Sequence, residues 1–274
     1  MTPHDLARLT QIARQAAEAA GVIHLQHFRS PGLKVEHKAD RTPVTVADRD
    51  SEQAIRDVLR KLAPGLAIKG EEFGLEAGTD GQTSDLWLID PIDGTKNFVT
   101  GLPIFASLIG LVLDGRVAVG VVHAPALGRN GLPVGDTWWA HRGGGAWLNN
   151  ERIHVSTVSD LASAALGVGG LKHMSDATRW ALVHRLVQRT ARTRGFGDWY
   201  GHVLVADGRM DIMVDPIVAD YDLGPLPVLL EEAGGRFSAI SGELRLDGGN
   251  ALSTNGALHD EVVAMLQGWN TPAA

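Results

Sequence analysis

One short segment limits the fold of this chain more than any other. Residues 87–98 read WLIDPIDGTKNF, so an apolar run leads directly to Asp90. Pro91 then removes a backbone N–H, which means that a buried strand has to end here. A sharp turn follows at Asp93 and Gly94, because glycine can adopt positive φ. The segment therefore predicts a strand that carries two carboxylates to one edge of a sheet.

Backbone N–H groups come directly after those carboxylates. If residues 95–98 begin a helical turn, the free N–H groups of Gly94 and Thr95 point outward and form an anion site. An anion and two carboxylates repel each other unless cations stand between them. Mg²⁺ suits this position, because proteins hold it with a few carboxylates together with substrate phosphate. The alternative for the segment taken alone is a surface turn, since Asp-Gly and Asp-Pro are common turn dipeptides.

Two further acidic segments lie at probable ends of secondary structure. Glu71 and Glu72 follow the apolar strand predicted over 66–68, and a pair of this kind is commonly solvated surface. Asp220 and Asp222 open a predicted helix, where acidic groups also favour the N-terminal dipole. Each segment thus has a structural explanation as well as a functional one.

Composition narrows the chemistry that these residues can perform. The chain contains no cysteine, which excludes disulfides, thiolate nucleophiles and iron–sulfur or Cys-based zinc sites. A metal therefore has to bind oxygen or imidazole. The 25 Lys and Arg residues against 32 Asp and Glu give a net charge of −7, without the basic patch expected of a nucleic-acid-binding protein. With 274 residues, the chain fits one large domain or two closely joined halves.

The N-terminal segment and the apolar runs bear on location. The first residues carry charged side chains at Asp5, Arg8 and Arg14, and they lack the continuous apolar stretch of a signal peptide. The most apolar run, residues 104–113, is shorter than the roughly 20 residues that a membrane span needs. We therefore expect a soluble, cytoplasmic protein whose partners include neither a membrane nor a nucleic acid.

The N-terminal half, residues 1–155, shows an α+β pattern. Amphipathic helices are predicted over about residues 6–28 and 47–62, where apolar residues recur every three or four positions. Short strands follow, and two of them form a hairpin that turns at Asp114-Gly115. This half contains most of the candidate metal ligands.

The C-terminal half, residues 156–274, has a different rhythm. Strand-like and helical segments alternate, which is typical of helices layered on a sheet. One helix is predicted over residues 223–233. We expect this α/β half to contribute Asp222 and the substrate pocket to the site.

Taken together, these motifs resemble the inositol monophosphatase family of Mg²⁺-dependent phosphomonoesterases. The resemblance rests on Gly70-Glu71-Glu72, on residues 87–98, and on Asp222 followed by Glu232-Ala233-Gly234-Gly235. Their order and spacing match the family from about residue 5 to residue 268. The fold that the resemblance implies is a layered α-β-α-β-α sandwich.

Within the family, the sequence is most similar to the histidinol-phosphate phosphatase branch. Residues 95–98, TKNF, and residues 101–109, GLPIFASLI, carry this closer similarity. Tyr221 departs from the pattern, because family members commonly have Trp before the aspartate. Both residues are large aromatics, so the departure leaves the ligand role of Asp222 intact.

The resemblance also implies roles for individual residues. The matching metal ligands are Glu71, Asp90, the backbone carbonyl of Ile92, Asp93 and Asp222. The matching catalytic residues are Asp48, Thr95 and Glu71, and Asp48 with Thr95 would activate a metal-bound water. The matching phosphate-binding groups are the N–H groups of Gly94 and Thr95, and the matching substrate-binding residues are Asp198 and Asp215. Trp199 follows Asp198 directly, so we expect it to line the substrate pocket as well.

The function implied is Mg²⁺-dependent hydrolysis of a small phosphate monoester, with roughly two or three ions in each site and a homodimer as the assembly. L-Histidinol phosphate is the favoured substrate, because Asp198 and Asp215 would complement a cationic alcohol portion. Inositol 1-phosphate is the alternative, since carboxylates also accept hydrogen bonds from sugar hydroxyls. A non-catalytic regulatory or RNA-associated protein on the same fold is the alternative from a different class.

Overall fold

The computed structural model describes residues 3–38, 42–79, 81–128, 135–174 and 177–269. Within these ranges the helices are α1 (Pro3–His27), α2 (Val46–Leu62), α3 (Thr95–Thr100), α4 (Ala177–Arg189), α5 (Asp198–Ala206), α6 (Asp220–Leu223), α7 (Leu226–Glu232) and α8 (His259–Met265). The strands are β1 (Val35–His37), β2 (Pro43–Thr45), β3 (Ala67–Gly70), β4 (Gly74–Glu76), β5 (Leu86–Asp93), β6 (Ala106–Leu113), β7 (Arg116–Ala124), β8 (Asp136–His141), β9 (Gly145–Leu148), β10 (Glu151–Ile153), β11 (Ala165–Val168), β12 (Arg192–Arg194), β13 (Ile212–Asp215), β14 (Arg236–Ser238) and β15 (Ala251–Thr254).

Eight of the described strands form the first sheet, in the order β10-β9-β8-β7-β6-β5-β3-β4. All neighbours in this sheet run antiparallel except β3 and β5, which run parallel. Because β3 and β5 are parallel, their carboxyl ends meet at the same edge of the sheet. That edge carries Glu71, directly after β3, beside Asp90 and Asp93 at the end of β5.

Five more of the described strands form the second sheet, in the order β12-β11-β13-β15-β14. β11 runs parallel to both β12 and β13, whereas β15 runs antiparallel to β13 and β14. Asp215 is the last residue of β13, so one strand of this sheet also carries a carboxylate at its carboxyl end.

Helices cover both sheets and give the layered arrangement that the sequence predicts. α1 and α2 pack on one face of the first sheet, with the apolar stripe of α1 buried. α5, α6 and α7 fill the space between the two sheets. α4 and α8 cover the outer face of the second sheet. The layers therefore follow the order α-β-α-β-α, and the predicted fold class is confirmed.

Most predicted elements of the N-terminal half lie where the sequence places them. α1 ends one residue before the predicted limit, and α2 begins one residue earlier than predicted. The hairpin predicted at Asp114-Gly115 joins β6 to β7. The turn after β5 leads into a helix that begins at Thr95, as the sequence predicts.

One predicted helix is wrong in its extent. The segment 223–233 is two helices, because α6 ends at Leu223 and α7 begins at Leu226. Pro225 lies between them and lacks the N–H that a continuous helix would need, which accounts for the break. α6 begins at Asp220, where the acidic segment predicts the start of a helix, and Asp222 lies inside its single turn.

The predicted boundary between residues 155 and 156 falls in the connection from β10 to β11. The halves are not separate in packing, because α6 and α7 from the C-terminal half lie against strands of the first sheet. The division into two halves stays a prediction. Among the described residues, no helix is both long and apolar enough to cross a membrane.

Candidate active site

The N-terminus of α2 places Asp48 next to Thr95. Thr45 caps this helix, and its N–H and hydroxyl both lie 2.7 Å from Oδ2 of Asp48. The second carboxylate oxygen, Oδ1, accepts a hydrogen bond from the Thr95 hydroxyl at 3.2 Å. That hydroxyl also lies 2.9 Å from the carbonyl oxygen of Ile92. The capping interaction thus fixes one oxygen of Asp48 and leaves the other for Thr95.

The end of β5 presents the predicted ligands through a tight turn. Asp90 is 2% exposed, and its Oδ1 accepts a hydrogen bond from the N–H of Ile92 at 2.9 Å. Gly94 follows with φ of 88°, and a Cβ there would lie 2.8 Å from the carbonyl oxygen of Ile104. Glycine is therefore required at this position both for its conformation and for space. The turn leads directly into α3 at Thr95.

The carboxyl groups of Glu71, Asp90 and Asp222 lie around one cavity. The charge of Glu71 contributes to raising the pKa values of both Asp90 and Asp222. Oδ2 of Asp222 also accepts a hydrogen bond from the N–H of Ala219 at 2.7 Å, which ties the ligand to the start of α6. Three elements that are distant in sequence, β3, β5 and α6, therefore bring their acidic side chains to one place.

Burial and mutual proximity disfavour the charged forms of these carboxyl groups. Burial raises the pKa of Asp90 well above its ordinary value, and the charges of Glu71 and Asp93 raise it further. Burial likewise raises the pKa of Asp93 well above its ordinary value, with added repulsion from Asp198 and Asp222. The pKa of Asp222 is raised to about 6, again mainly by burial. A bound cation would relieve this repulsion.

The predicted substrate-binding residues lie on the other side of Asp93. Asp198 opens α5 with φ of 55°, an uncommon conformation for a residue with a side chain. The N–H of Trp199 donates to Oδ2 of Asp93 at 2.9 Å. The pKa of Asp215 is raised to about 7, mainly by burial and also by repulsion from Asp198. The indole of Trp199 is 1% exposed and packs against Trp138, so the residue contacts the acidic groups through its backbone.

Two adjoining cavities contain these groups. One of about 160 Å³ is lined by the predicted metal ligands together with Gly94 and Thr95. The other, of about 40 Å³, is lined by Asp93, Asp198, Trp199, Asp215 and Asp222 among others. Asp48 reaches the first cavity through its hydrogen bond to Thr95. The structure thus brings all of the sequence-predicted site residues together.

Two lysines at the site were missed from the sequence. Nζ of Lys38 lies 2.8 Å from Oε1 of Glu71 and 2.5 Å from Oε1 of Glu72. Lys96, the second residue of α3, lines the larger cavity, and its charge opposes the effect of burial on the pKa of Asp198. Lys96 stands inside the WLIDPIDGTKNF segment, so its position was a usable signal. Lys38 lies outside the motifs that predict the site, so the sequence around it does not indicate a role there.

The donor set fits Mg²⁺. The lining of the larger cavity includes Ile92 and the carboxylates of Glu71, Asp90, Asp93 and Asp222, and carboxylate and carbonyl oxygens are the ligands that a hard divalent cation prefers. In the described part of the chain, no group of three or more acidic or histidine side chains is already arranged to hold a metal ion. The ion pair of Glu71 with Lys38 directs this carboxylate toward the ammonium group. The raised pKa values of Asp90, Asp93 and Asp222, whose charges repel one another, are nevertheless what a bound cation would explain.

Known proteins resemble this chain over most of its length. Residues 5–269 match the family model described as "Inositol monophosphatase family". A histidinol-phosphatase of Mycobacterium tuberculosis is 41% identical, over 97% of this chain and 99% of the relative. A histidinol-phosphatase of Streptomyces coelicolor is 37% identical, over 93% of this chain and 96% of the relative.

Solved structures share the fold. The extragenic suppressor protein suhB from Bartonella henselae superimposes with a TM-score of 0.85 at 26% identity, and the match covers 94% of this chain and 98% of that structure. Phosphatases of the matched family are generally Mg²⁺-dependent, in agreement with the oxygen donors of the larger cavity. From its motifs, its layered architecture and these matches, the chain belongs to the inositol monophosphatase family.

Proposed function

We propose that this protein hydrolyses a small phosphate monoester in the presence of Mg²⁺, and that the substrate is L-histidinol phosphate. It is a phosphoric monoester hydrolase, as its family membership indicates. The observation that carries the proposal is the cavity that brings carboxylates from three elements beside the Gly94–Thr95 turn. Carboxylates alone would repel a phosphate, whereas carboxylates that share a cation with it would bind it.

The proposed metal ligands are the carboxylates of Glu71, Asp90, Asp93 and Asp222 and the carbonyl of Ile92. We propose that they hold roughly two or three Mg²⁺ ions. Bound Mg²⁺ supplies positive charge that neutralises the ligands and the phosphate oxygens and that acidifies water. The fit of these residues to Mg²⁺ rests on their oxygen chemistry and on their shared position around one cavity.

The other site residues would position the reactants. The N–H groups of Gly94 and Thr95 would hold phosphate oxygens at the start of α3. Thr95 and Asp48 would orient the attacking water and accept its proton, with Glu71 as the further acidic group at this side of the cavity. The water oxygen forms a bond to phosphorus as the bond from phosphorus to the alcohol oxygen breaks, and a proton is returned to the departing alcohol. Positioning and charge neutralisation suffice for such a transfer.

The choice of substrate rests on the charge beyond the phosphate site. Asp215 adds a buried carboxyl group and Asp198 an exposed one next to Asp93, more acid than a neutral polyol requires. An alcohol that carries an amine and an imidazole would complement these groups. The names of the two histidinol-phosphatase relatives support the same choice. Inositol 1-phosphate remains the alternative substrate.

A direct comparison of substrates tests the proposal. We expect kcat/KM for L-histidinol phosphate to exceed that for myo-inositol 1-phosphate at one fixed Mg²⁺ concentration. The variant Asp215→Asn should lower kcat/KM for histidinol phosphate more than for inositol phosphate, whose alcohol portion is uncharged. A preference for inositol phosphate above about tenfold, or 1.4 kcal/mol, would overturn the substrate assignment. Failure to hydrolyse any phosphomonoester with Mg²⁺ present would favour a non-catalytic role.

Two further properties belong to the proposal. We propose a homodimer, which light scattering on the purified protein would test through its molar mass. We also propose a cytoplasmic location, which cell fractionation would test.

A further inference from the structure

A buried glutamate outside the proposed ligand set lies on the same helix as Asp48. Glu52 is one turn further along α2 and is 0% exposed. Its Oε2 accepts a hydrogen bond from the N–H of Glu72 at 2.7 Å, and its Oε1 accepts one from the N–H of Phe73 at 3.2 Å. Glu52 therefore binds the backbone that directly follows Glu71.

Arg56 extends this contact to the other end of the same segment. Its Nε donates to Oε1 of Glu52 at 2.8 Å, and its Nη2 donates to the carbonyl oxygen of Gly74 at 2.6 Å. The Arg56 side chain is 2% exposed, so this ion pair is shielded from water. Glu52 and Arg56 together therefore form hydrogen bonds with both N–H and C=O groups of residues 72–74.

The residue before Glu71 is also pressed against Glu52. A Cβ on Gly70 would lie 2.0 Å from Oε1 of Glu52, closer than any side chain could approach. The backbone on both sides of Glu71 thus touches one carboxylate. These contacts hold the backbone of Glu71 in place, so its side chain extends from a fixed position at the edge of the sheet.

We propose that Glu52 is a positioning residue for the Glu71 metal ligand, and this inference rests on the proposed Mg²⁺ site. α2 would then set two parts of the site at once, since its first turn holds Asp48 and its second turn holds the backbone around Glu71. Groups that orient metal ligands affect metal affinity by about 10–100-fold when they are removed. A purely structural role would lower the stability of the protein and leave the affinity for Mg²⁺ unchanged.

The substitution Glu52→Gln separates these two roles. Glutamine has the same size, but its amide NH₂ group cannot accept hydrogen bonds, so the two N–H groups of Glu72 and Phe73 lose part of their acceptor. The matched control is Glu76→Gln. Glu76 also pairs with Arg56, at 2.9 Å, but it does not bind the backbone of residues 72–73.

The measurement is the Mg²⁺ concentration at half-saturation in a calorimetric binding titration, with kcat at saturating Mg²⁺ as the second readout. For Glu52→Gln we expect this concentration to rise at least about tenfold, and kcat to stay within about threefold of wild type. The Glu76→Gln control should match wild type in both. If Glu52→Gln does not fold because Arg56 is left buried without its partner, the double variant Glu52→Gln with Arg56→Met removes both charges and should show the same rise.

Three results would overturn the inference. A midpoint for the folded Glu52 variant within about twofold of wild type assigns Glu52 a structural role alone. An equal rise in the Glu76→Gln control attributes the effect to Arg56 in general. If wild type itself shows neither stabilisation by Mg²⁺ nor Mg²⁺-dependent hydrolysis, the proposed function fails together with this inference, and that outcome is distinct from a failure of Glu52 alone.

Discussion

The Thr95 hydroxyl faces two acceptors, Oδ1 of Asp48 at 3.2 Å and the carbonyl oxygen of Ile92 at 2.9 Å. A hydroxyl carries one hydrogen, so it donates to one of them at a time. Its lone pairs stay available to a donor such as water. Because Oδ2 of Asp48 is bound to Thr45, Oδ1 is the oxygen that remains for proton transfer through Thr95.

Removal of the Thr95 hydroxyl should therefore reduce turnover and leave the fold intact. Thr95→Val keeps the shape of the side chain but cannot pass or hold a proton, and we expect kcat to fall by about 10²–10⁴-fold. Thr95→Ser retains the hydroxyl and serves as the control, with kcat within about tenfold of wild type. A valine variant with more than a tenth of the wild-type kcat would exclude Thr95 from proton transfer.

Asp93 combines a proposed ligand role with a structural hydrogen bond. Asp93→Asn keeps an oxygen that can accept from the N–H of Trp199, so we expect the variant to fold with a Tm close to that of wild type without metal. Loss of the ligand charge should lower Mg²⁺-dependent kcat/KM by at least about a hundredfold, since removal of even indirect partners of a metal costs 10–100-fold. Near-normal turnover at any Mg²⁺ concentration would contradict the ligand assignment.

The local parts of the site were predictable because each is written in a short segment. The end of β5, the positive φ of Gly94 and the helix that starts at Thr95 all follow from the order Asp-Pro-x-Asp-Gly-Thr. The antiparallel pair β6–β7 was equally local, since Asp114-Gly115 favours a hairpin turn. These features need no information from the rest of the chain.

Other features depend on contacts between distant segments and could not be read from one stretch of sequence. Nothing in the segment around Lys38 indicates that its ammonium group pairs with Glu71. Glu52 reads as one more acidic residue on an amphipathic helix, although it is fully buried against the backbone of Glu72. Strands β14 and β15 were not predicted either, because each is short and is stabilised by its neighbour in the second sheet.

Gly94 should not tolerate a side chain. Gly94→Ala places a Cβ in the left-handed region, which costs about 1–2 kcal/mol, and within 2.8 Å of the Ile104 carbonyl oxygen. Gly115→Ala is the matched control, because Gly115 also has positive φ but its Cβ would meet no atom within 4 Å. Urea denaturation should show a larger loss of stability for the Gly94 variant. An equal loss in both would mean that the contact with Ile104 has no cost.

Mg²⁺ should stabilise the folded protein. The ion would bind only where the carboxylates of Asp90, Asp93 and Asp222 converge, so mass action favours the folded state by about 2.7 kcal/mol at a hundredfold excess over the dissociation constant. Tm should therefore rise by several degrees on addition of Mg²⁺ and return on chelation. The Asp93→Asn variant should show a smaller rise. A Tm that does not change over the Mg²⁺ range that saturates activity would contradict the proposed cluster.

Acid should destabilise the protein through His259, which lines neither cavity of the site. This side chain is 1% exposed and contacts the hydroxyls of Ser238 and Thr254. The pKa of His259 is lowered to about 4, mainly by burial and also by the charge of Arg236, whereas Asp260 opposes the change. The folded protein keeps this histidine neutral at pH values where the unfolded chain, with a pKa of about 6.5, takes up a proton.

The stability that His259 contributes is therefore complete above pH 6.5 and is lost as the pH falls toward 4. Between pH 7.5 and pH 5 the loss is about 2 kcal/mol. We expect the difference in unfolding free energy between wild type and His259→Gln to shrink by that amount over this range. Comparing the two proteins at each pH removes the opposite contribution of the buried carboxyl groups, because both proteins contain them. A difference that stays constant from pH 7.5 to pH 5 would show that His259 is protonated in the folded protein as readily as in the unfolded chain.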